Sequence, residues 1–372
     1  MNTNIQKKVR ELLEGTGVTI NGSNLWDLQI NDQRFYKRVL TQGSLGFGES
    51  YMDGWWDCKQ VDELICRLLR DDIRKKLKSN WPLVAGLILS VLTNQQKGKK
   101  AFKIGEAHYD AGNDLYKAML DKRMVYTCGY WKDALNFDEA QEAKLDLVCK
   151  KIGLKKGDRV LDIGCGWGSF AKFAAEKYGA HVVGITVSKE QLELGKKNCE
   201  GLPIELRYQD YRDVNEKFDH IVSLGMFEHV GYKNYRDYMK AAARCLKDDG
   251  LFLLHTIGWI KSETSLDPWI HKYIFPNGML PSLAQISKAS EELFVMEDIH
   301  SFGTDYDKTL MAWHENFEEH WPELKDKYDE RFYRMWRYYL LVCAGSFRAR
   351  KNQLWQIVFS KNGVVSGYKS FR

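Results

Sequence analysis

The 372-residue sequence predicts a mostly parallel α/β sheet with helices on both faces, preceded by a small, mainly helical N-terminal domain. Three observations predict it. From Val160 onward, apolar runs of strand length alternate with stretches of helical period. A turn carrying Gly164, Gly166 and Gly168 joins the first of those strands to its helix. Before them, Asn94–Lys103 is polar and basic, as a linker is, and sets residues 1–93 apart from residues 106–372, with 94–105 between.

Composition narrows the class of protein. Hydrophobic residues make up 44% and charged residues 28%, the balance of a globular chain that can bury a large core. A net charge of +5 is too mild to argue for nucleic acid. Aromatic content is 13%, with 12 Trp, which suits an apolar or cation-facing pocket. The 8 Cys include no C-x-x-C pair, so neither zinc nor a redox motif is indicated. The polar stretch Met1–Arg10 lacks the apolar core of a signal peptide. Reduced thiols and a cytoplasmic location are therefore expected.

The elements follow in chain order. Residues 5–40 mix helical pattern with turns at Gly15, Gly17, Asn21 and Gly22. Gly43–Trp56, rich in glycine and aromatics, reads as a compact loop, and Val61–Leu69 as a helix. Trp81–Leu92 is apolar but shorter than the ~20 residues that span a bilayer. Arg74, Lys75, Lys76 and Lys78 precede it, and Lys97, Lys99, Lys100 and Lys103 follow. An apolar run between basic clusters suits the surface of an anionic membrane. It equally suits a buried helix followed by a solvated basic linker, and the two readings are compatible. Residues 108–116 and 124–131 lack period and read as loops that carry a site. Phe137–Ile152 reads as an amphipathic helix, with Ala140, Ala143, Leu147 and Val148 on one face.

The alternating series then begins. Strand Val160–Ile163 leads to a helix from Ser169 to Tyr178, and strand His181–Thr186 to a helix capped by Ser188 with Gln191 in capping-box position. Strands Ile204–Tyr208, His220–Leu224 and Leu251–Thr256 follow, with a helix Tyr235–Leu246 before the last. Residues 258–290 form an apolar insertion at the ligand edge, which reads as a lid or substrate channel. A strand Phe294–Ile299, helices over 308–350 and a strand Leu354–Ser360 complete the chain.

Ligands of such sheets lie at the carboxyl ends of the strands. The glycine turn runs G-x-G-x-G, not the G-x-G-x-x-G of a pyrophosphate site, and the acid Asp162 stands just before it. That pattern suits a cationic ligand with a free amino group, such as S-adenosylmethionine (SAM). Gln209 and Asp210 can hydrogen-bond an adenine edge, and Thr186 and Gln191 a ribose. Many SAM enzymes carry an acid where this chain has Thr186. Glu228 and His229 follow one strand end and His255 closes the next, a pair of elements able to share a proton or hold a small anion. A metal is the rival reading, but no H-x-x-x-H or H-x-H spacing supports it. Cys343, flanked by apolar residues and with no evident His partner, reads as a packed thiol rather than a nucleophile.

Nine stretches give the sequence a specific likeness: GSLGFGESYMDGWW (43–56), HYDAGNDLY (108–116), VYTCGYW (125–131), VLDIGCGWGS (160–169), GITVSKEQ (184–191), YQDYRD (208–213), GMFEHVG (225–231), LLHTIG (253–258) and DPWIHKYIFPNG (267–278). Over essentially its whole length the chain resembles the cyclopropane-fatty-acyl-phospholipid synthase family, in the two-domain bacterial form. The resemblance implies a Rossmann-like class I SAM-dependent methyltransferase fold with a seven-stranded sheet. It implies transfer of the SAM methyl to a cis double bond of a phospholipid acyl chain, then ring closure by proton loss to a bound bicarbonate. On this sequence the implied bicarbonate holders are Cys128, Glu228, His255, the Ile257 backbone and Tyr306. The implied SAM contacts are Tyr109, Gly164, Gly166, Thr186, Gln191, Gln209 and Asp210, to which the turn adds Asp162 and Gly168. A catalytic role for Cys343 is carried as a weak candidate. The resemblance also implies a homodimer, and the basic and apolar pattern of residues 74–103 suits peripheral contact with the inner face of the membrane. Two rivals remain: a SAM methyltransferase acting on a small amine or sterol, and a lipid-binding protein without activity.

Overall fold

A computed structural model of the chain describes residues 3–71 and 112–372. The apolar run 81–92, its flanking basic clusters, the linker 94–105 and Tyr109 lie outside the described residues. The chain divides into two compact units. One holds the described residues up to 71 together with Ser265–Pro276 and Tyr306–Asn352, and the other the described residues from 112 to Thr264 with Asn277–Asp305 and Gln353–Arg372.

In the first unit, α1 (Thr3–Leu13), β1 (Gln29–Ile30), α2 (Arg34–Met52), β2 (Trp56–Asp57) and α3 (Val61–Arg70) follow one another, and β1 pairs antiparallel with β2. The loop expected over Gly43–Trp56 is largely helix, with a break at Gly43 (φ 57°, ψ −132°). Gly46 and Gly48 serve close packing, while Gly54 (φ 72°) turns the chain beyond the helix. A Cβ on Gly46 would stand 2.5 Å from the Arg38 carbonyl, and one on Gly48 would stand 2.4 Å from the Trp269 indole.

The second unit opens with α4 (Asn113–Met119), a short helix where the sequence read as loop, and α5 (Phe137–Lys151). Asn136 caps α5 by accepting from the Glu139 N–H. Then come β3 (Arg159–Ile163), α6 (Ser169–Tyr178), β4 (His181–Thr186), α7 (Lys189–Asn198), β5 (Ile204–Tyr208), β6 (Phe218–Leu224), α8 (Tyr235–Cys245) and β7 (Leu246–Trp259). The insertion expected over 258–290 is not one piece. Its α9 (Pro268–Tyr273) belongs to the first unit, while α10 (Leu283–Ser290), closed by a full capping box at Ser282 and Gln285, packs on α8 beside the sheet.

The remaining elements are β8 (Val295–Ser301), α11 (Thr304–Leu324), α12 (Glu330–Arg348) and β9 (Asn352–Ser360). Residues 306–352 group with the N-terminal helices, so the unit boundary departs from the expected division at residue 106. Packing is the reason: α12 meets α3 so closely that a Cβ on Gly345 would lie 2.3 Å from the Asp62 carbonyl. Arg348 also joins Asp62 at 2.6 Å and Asp307 at 2.9 Å.

The seven-stranded sheet has the order β5-β4-β3-β6-β7-β9-β8. β5, β4, β3, β6 and β7 run parallel to one another, and β8 runs antiparallel to β9. Alternation sends Leu161, Ile163, Val183 and Ile185 into one buried cluster with α8, and Val160, Val182 and Val222 into another with α5 and α6. With both faces covered, the carboxyl ends of the strands are left to form a site.

Candidate active site

The turn after β3 is built to bring its backbone close to a ligand. Gly164 and Cys165 donate their N–H groups to the Ile185 carbonyl at 2.9 and 3.0 Å, which fastens the turn over the end of β4. Gly164 (φ 84°) leaves no room for a side chain, because its Cβ would stand 2.7 Å from Cβ and Cγ of Met226. Gly166 has nothing within 4 Å of that position and faces the pocket. Gly168 (φ 81°) caps α6 in the left-handed conformation, and its Cβ would meet the Cys199 sulfur at 2.7 Å.

The pocket over this turn is lined by Asp162, Gly164, Gly166, Thr186, Gln191, Gln209 and Asp210, all singled out in the sequence. Thr186 donates to Gln191 Oε1 at 3.1 Å and accepts from the Ser188 N–H at 3.2 Å, while Ser188 Oγ accepts from the Gln191 N–H at 3.3 Å. Asp210 already accepts from the Arg212 N–H at 2.9 Å and from its guanidinium at 2.7 Å, a pairing the sequence reading missed. Asp162 differs: its Oδ2 is buried with no hydrogen-bond partner among the described residues. Burial pushes its carboxyl up to about 7, against the positive charge of Lys144. An unsatisfied buried carboxyl at the mouth of a pocket is suited to a cationic amino group.

The pocket also recruits residues the sequence left unassigned. Trp167, within the glycine turn, lines it and donates its indole N–H to Asn113 Oδ1 at 3.0 Å. The Tyr116 ring lies 5.0 Å from Trp167 and 5.1 Å from Tyr126. Both contacts join the 108–116, 125–131 and 160–169 stretches, so the shared motifs were the available signal.

A second group of polar side chains lies beyond β6 and beside its last residue: β7 runs past the expected end to Trp259, so His255 sits within it, paired with Leu224, and Glu228 lies in the turn after β6. Glu228 Oε1 accepts from the Ile257 N–H at 2.6 Å, and the Glu228 carbonyl accepts from the Met279 N–H at 2.7 Å. Glu228 Oε2 is buried with no partner among the described residues. Burial pushes this carboxyl up to about 7, against the Ile257 N–H. His255 is 1% exposed, and burial, then the charges of Lys144 and Lys151, hold it well below the ordinary histidine range. Its Nε2 is likewise buried and without a partner among the described residues. His229, in the pocket wall, is lowered to about 4 by burial. Cys128 is wholly buried, with its thiol directed at the Gly129 carbonyl at 3.1 Å. An aromatic chain connects this loop to His255, with Tyr130 to Phe302 at 5.3 Å and Phe302 to His255 at 5.9 Å.

Tyr306 and Cys343 belong to the other unit. The Tyr306 ring packs on Phe347 at 4.6 Å and Trp313 at 5.9 Å. Burial, with the Asp267 charge adding to it, pushes the Cys343 thiol up to about 12. Among the described residues no group of three or more His, Cys, Asp and Glu could hold a metal ion.

The sheet order, the glycine turn and the pocket define a SAM-type methyltransferase. Comparison with known proteins carries this to a family. Residues 96–357 match the family described as mycolic acid cyclopropane synthetase. The cyclopropane-fatty-acyl-phospholipid synthase of Escherichia coli strain K12 is 53% identical over 362 residues, covering 97% of this chain and 94% of that protein. Among solved structures, the cyclopropane synthase MmaA2 from Mycobacterium tuberculosis is 32% identical, with a TM-score of 0.66 over 70% of this chain and 98% of its own. The same identity, TM-score and coverage hold for the mycolic acid cyclopropane synthase CmaA1 complexed with SAH and CTAB. The chain belongs to the cyclopropane synthase family of SAM-dependent methyltransferases.

Proposed function

We propose that this enzyme transfers the SAM methyl to the cis double bond of an unsaturated phospholipid acyl chain and closes a cyclopropane ring. The observation that supports the reading is two unsatisfied places carried by neighbouring strands of one sheet. One is the glycine-turn pocket with the unpartnered Asp162 carboxyl, and the other is the Glu228–His255 pair with two buried polar atoms lacking partners. The first suits the amino group of SAM, with Thr186, Gln191, Gln209 and Asp210 along the nucleoside and the Gly164 and Gly166 backbone beneath it; Tyr109 joins them by family resemblance. Gly168 shapes the turn.

SAM supplies an electrophilic methyl on a sulfonium. The alkene pair forms a new bond to that carbon while the carbon–sulfur bond breaks, and a cation is left on the acyl chain. Loss of a proton from the former methyl then lets the freed electron pair close the ring. An alkene is a poor nucleophile, so alignment is the larger part of what the protein must provide. Apolar walls keep water from the cation, and aromatic faces stabilise it.

The proton acceptor we assign is a bound bicarbonate, and the residues present fit one. A small oxyanion carrying its own hydroxyl can satisfy both the Glu228 and His255 atoms that lack partners. Bicarbonate there would supply a weak base shielded from solvent. Glu228 and His255 would hold and orient it, with Cys128, the Ile257 backbone and, by family resemblance, Tyr306. In this structure the Ile257 N–H is already taken by Glu228 and its carbonyl by the Thr256 hydroxyl at 3.0 Å, so Ile257 acts mainly by fixing Glu228. Cys343 is given no chemical role.

The segment 74–103 would bring the enzyme to an anionic membrane surface as a peripheral cytoplasmic homodimer. No helix among the described residues is long and apolar enough to cross a membrane.

The test is incubation with SAM and liposomes of cis-unsaturated phospholipid, read by lipid mass spectrometry with ozonolysis. Gain of one CH2 with loss of the ozone-cleavable bond is expected. Gain of CH2 with the alkene retained would refute ring closure, and no gain despite SAM binding would favour a small-molecule methyltransferase. Removal of bicarbonate should slow turnover, and an unchanged rate would point to a protein side chain as base.

A further inference from the structure

Gln356 is a wholly buried amide at the centre of β9, a strand whose neighbours Leu354, Trp355, Ile357, Val358 and Phe359 are all apolar and buried. A primary amide in such a place costs stability unless it is hydrogen-bonded. β9 lies between β7 and β8 in the sheet, which puts Gln356 beside the strand that carries His255. Its Nε2 lies 3.3 Å from His255 Nδ1, while its Oε1 has no partner among the described residues.

The chemistry of the two groups decides what that contact means. His255 is buried and flanked by the charges of Lys144 and Lys151, which keep its imidazole neutral. A neutral imidazole has one donor nitrogen and one acceptor nitrogen, and the bond made by one nitrogen sets the role of the other. With the amide nitrogen facing Nδ1, as it is placed here, the amide donates, Nδ1 accepts, and the ring proton is left to Nε2. That N–H is buried with no acceptor among the described residues. It is the donor a small oxyanion requires. The opposite tautomer would set an Nδ1–H against the amide hydrogens and present the anion with a lone pair.

We infer that Gln356 is a positioning residue that holds His255 in the Nε2–H tautomer, so that His255 presents a proton donor to the oxyanion beside Glu228. This rests on the proposed reading of His255 as a holder of bicarbonate. No sequence motif pointed to Gln356, since its partner is a strand neighbour about a hundred residues away.

The test uses the full-length enzyme labelled with 15N-histidine, with the His255 signals assigned by their loss in His255→Gln. The wild type should show His255 Nε2 as the protonated nitrogen and Nδ1 as the bare one. Gln356→Glu, which offers Nδ1 a carboxylate, should reverse the pair. In that variant the half-saturating bicarbonate concentration should rise about tenfold or more, the loss expected when a hydrogen bond to a charged group is removed, with affinity for S-adenosylhomocysteine (SAH) unchanged. A wild-type spectrum with the proton on Nδ1 would overturn the inference, and it decides the matter even if Gln356→Glu does not fold. A folded Gln356→Glu with an unaltered tautomer would overturn it too. If the tautomer reverses as expected but wild-type turnover ignores bicarbonate, Gln356 stands as the positioning residue and the bicarbonate reading falls.

Discussion

Substituting Glu228→Gln separates the stability of the site from its chemistry. Burial pushes the Glu228 carboxyl up to about 7, from a reference of 4.5. A carboxyl whose folded pKa is raised contributes stability that is complete below the unfolded value and is lost as pH climbs through the folded one. The lost contribution corresponds to about 2.5 pH units, or about 3 kcal/mol at pH 8, and to less than about 1 kcal/mol at pH 5. Glutamine keeps the oxygen that accepts from the Ile257 N–H and has no proton to lose. The stability of Glu228→Gln relative to wild type should therefore grow by about 2–3 kcal/mol between pH 5 and pH 8. The buried Asp162 and Asp121 carboxyls, themselves pushed up to about 7 and about 6, titrate in both proteins and cancel in the difference. The assay is urea unfolding of SAM-free protein in buffers depleted of carbon dioxide, at several pH values, beside SAH binding and turnover. The variant should bind SAH, lose turnover and gain stability toward alkaline pH. A relative stability that is flat across this range would show that the carboxylate is not buried without compensation. Near wild-type turnover would remove Glu228 from the site.

Three further outcomes are expected. Gly164→Ala should weaken SAH binding about tenfold or more, because its Cβ would collide with Met226 and displace the turn that lines the pocket. Gly157→Ala, with φ 88° but nothing within 4 Å, should leave affinity unchanged, and equal losses in both by calorimetry would refute the argument. Cys343→Ala should keep turnover within about threefold, and the native thiol should resist alkylation at pH 8, where a pKa of about 12 leaves roughly one thiolate in ten thousand. Abolished turnover in a folded Cys343→Ala would make that thiol a participant. Changing Lys97, Lys99, Lys100 and Lys103 to Gln should weaken sedimentation with anionic liposomes by up to about a thousandfold, at ~1 kcal/mol per lysine, and leave SAH binding intact. Undiminished sedimentation would refute docking through that segment.

What was legible in the sequence was local. The strand, turn and helix over 160–178 could be read because apolar period, glycine spacing and helix start all lie within a few residues of one another. Ser188 was legible as a cap for the same reason: its acceptor serves a backbone donor three residues on. Thr186, Gln191, Gln209 and Asp210 could be placed in one pocket because parallel topology sends successive strand ends to the same edge. The glycines of 43–56 misled, since a glycine that opens a turn and one that admits a neighbour look alike in a sequence. Only Gly43 breaks the helix there, whereas Gly48 accommodates Trp269, more than two hundred residues away.

The site shows the same limit in a sharper form. Glu228 and His255 can be nominated from their strand ends, yet their chemistry depends on what surrounds them. The Glu228 carboxyl is raised because burial outweighs the Ile257 N–H, and His255 is neutral because burial is reinforced by Lys144 and Lys151. Those lysines are a helical heptad apart on α5, where a sequence pattern assigns lysine to solvent, and both are 0% exposed. Lys144 donates to Thr127 Oγ1 at 2.6 Å, and Lys151 Nζ lies 3.0 Å from His300 Nδ1. Burial lowers the first to about 8 and the second to about 7. Buried cations of this kind destabilise a fold unless something nearby uses their field. For Lys144 the groups that do so are the carboxyls of Asp121 and Asp162 and for Lys151 that of Asp298, while both lysines help to keep His255 neutral.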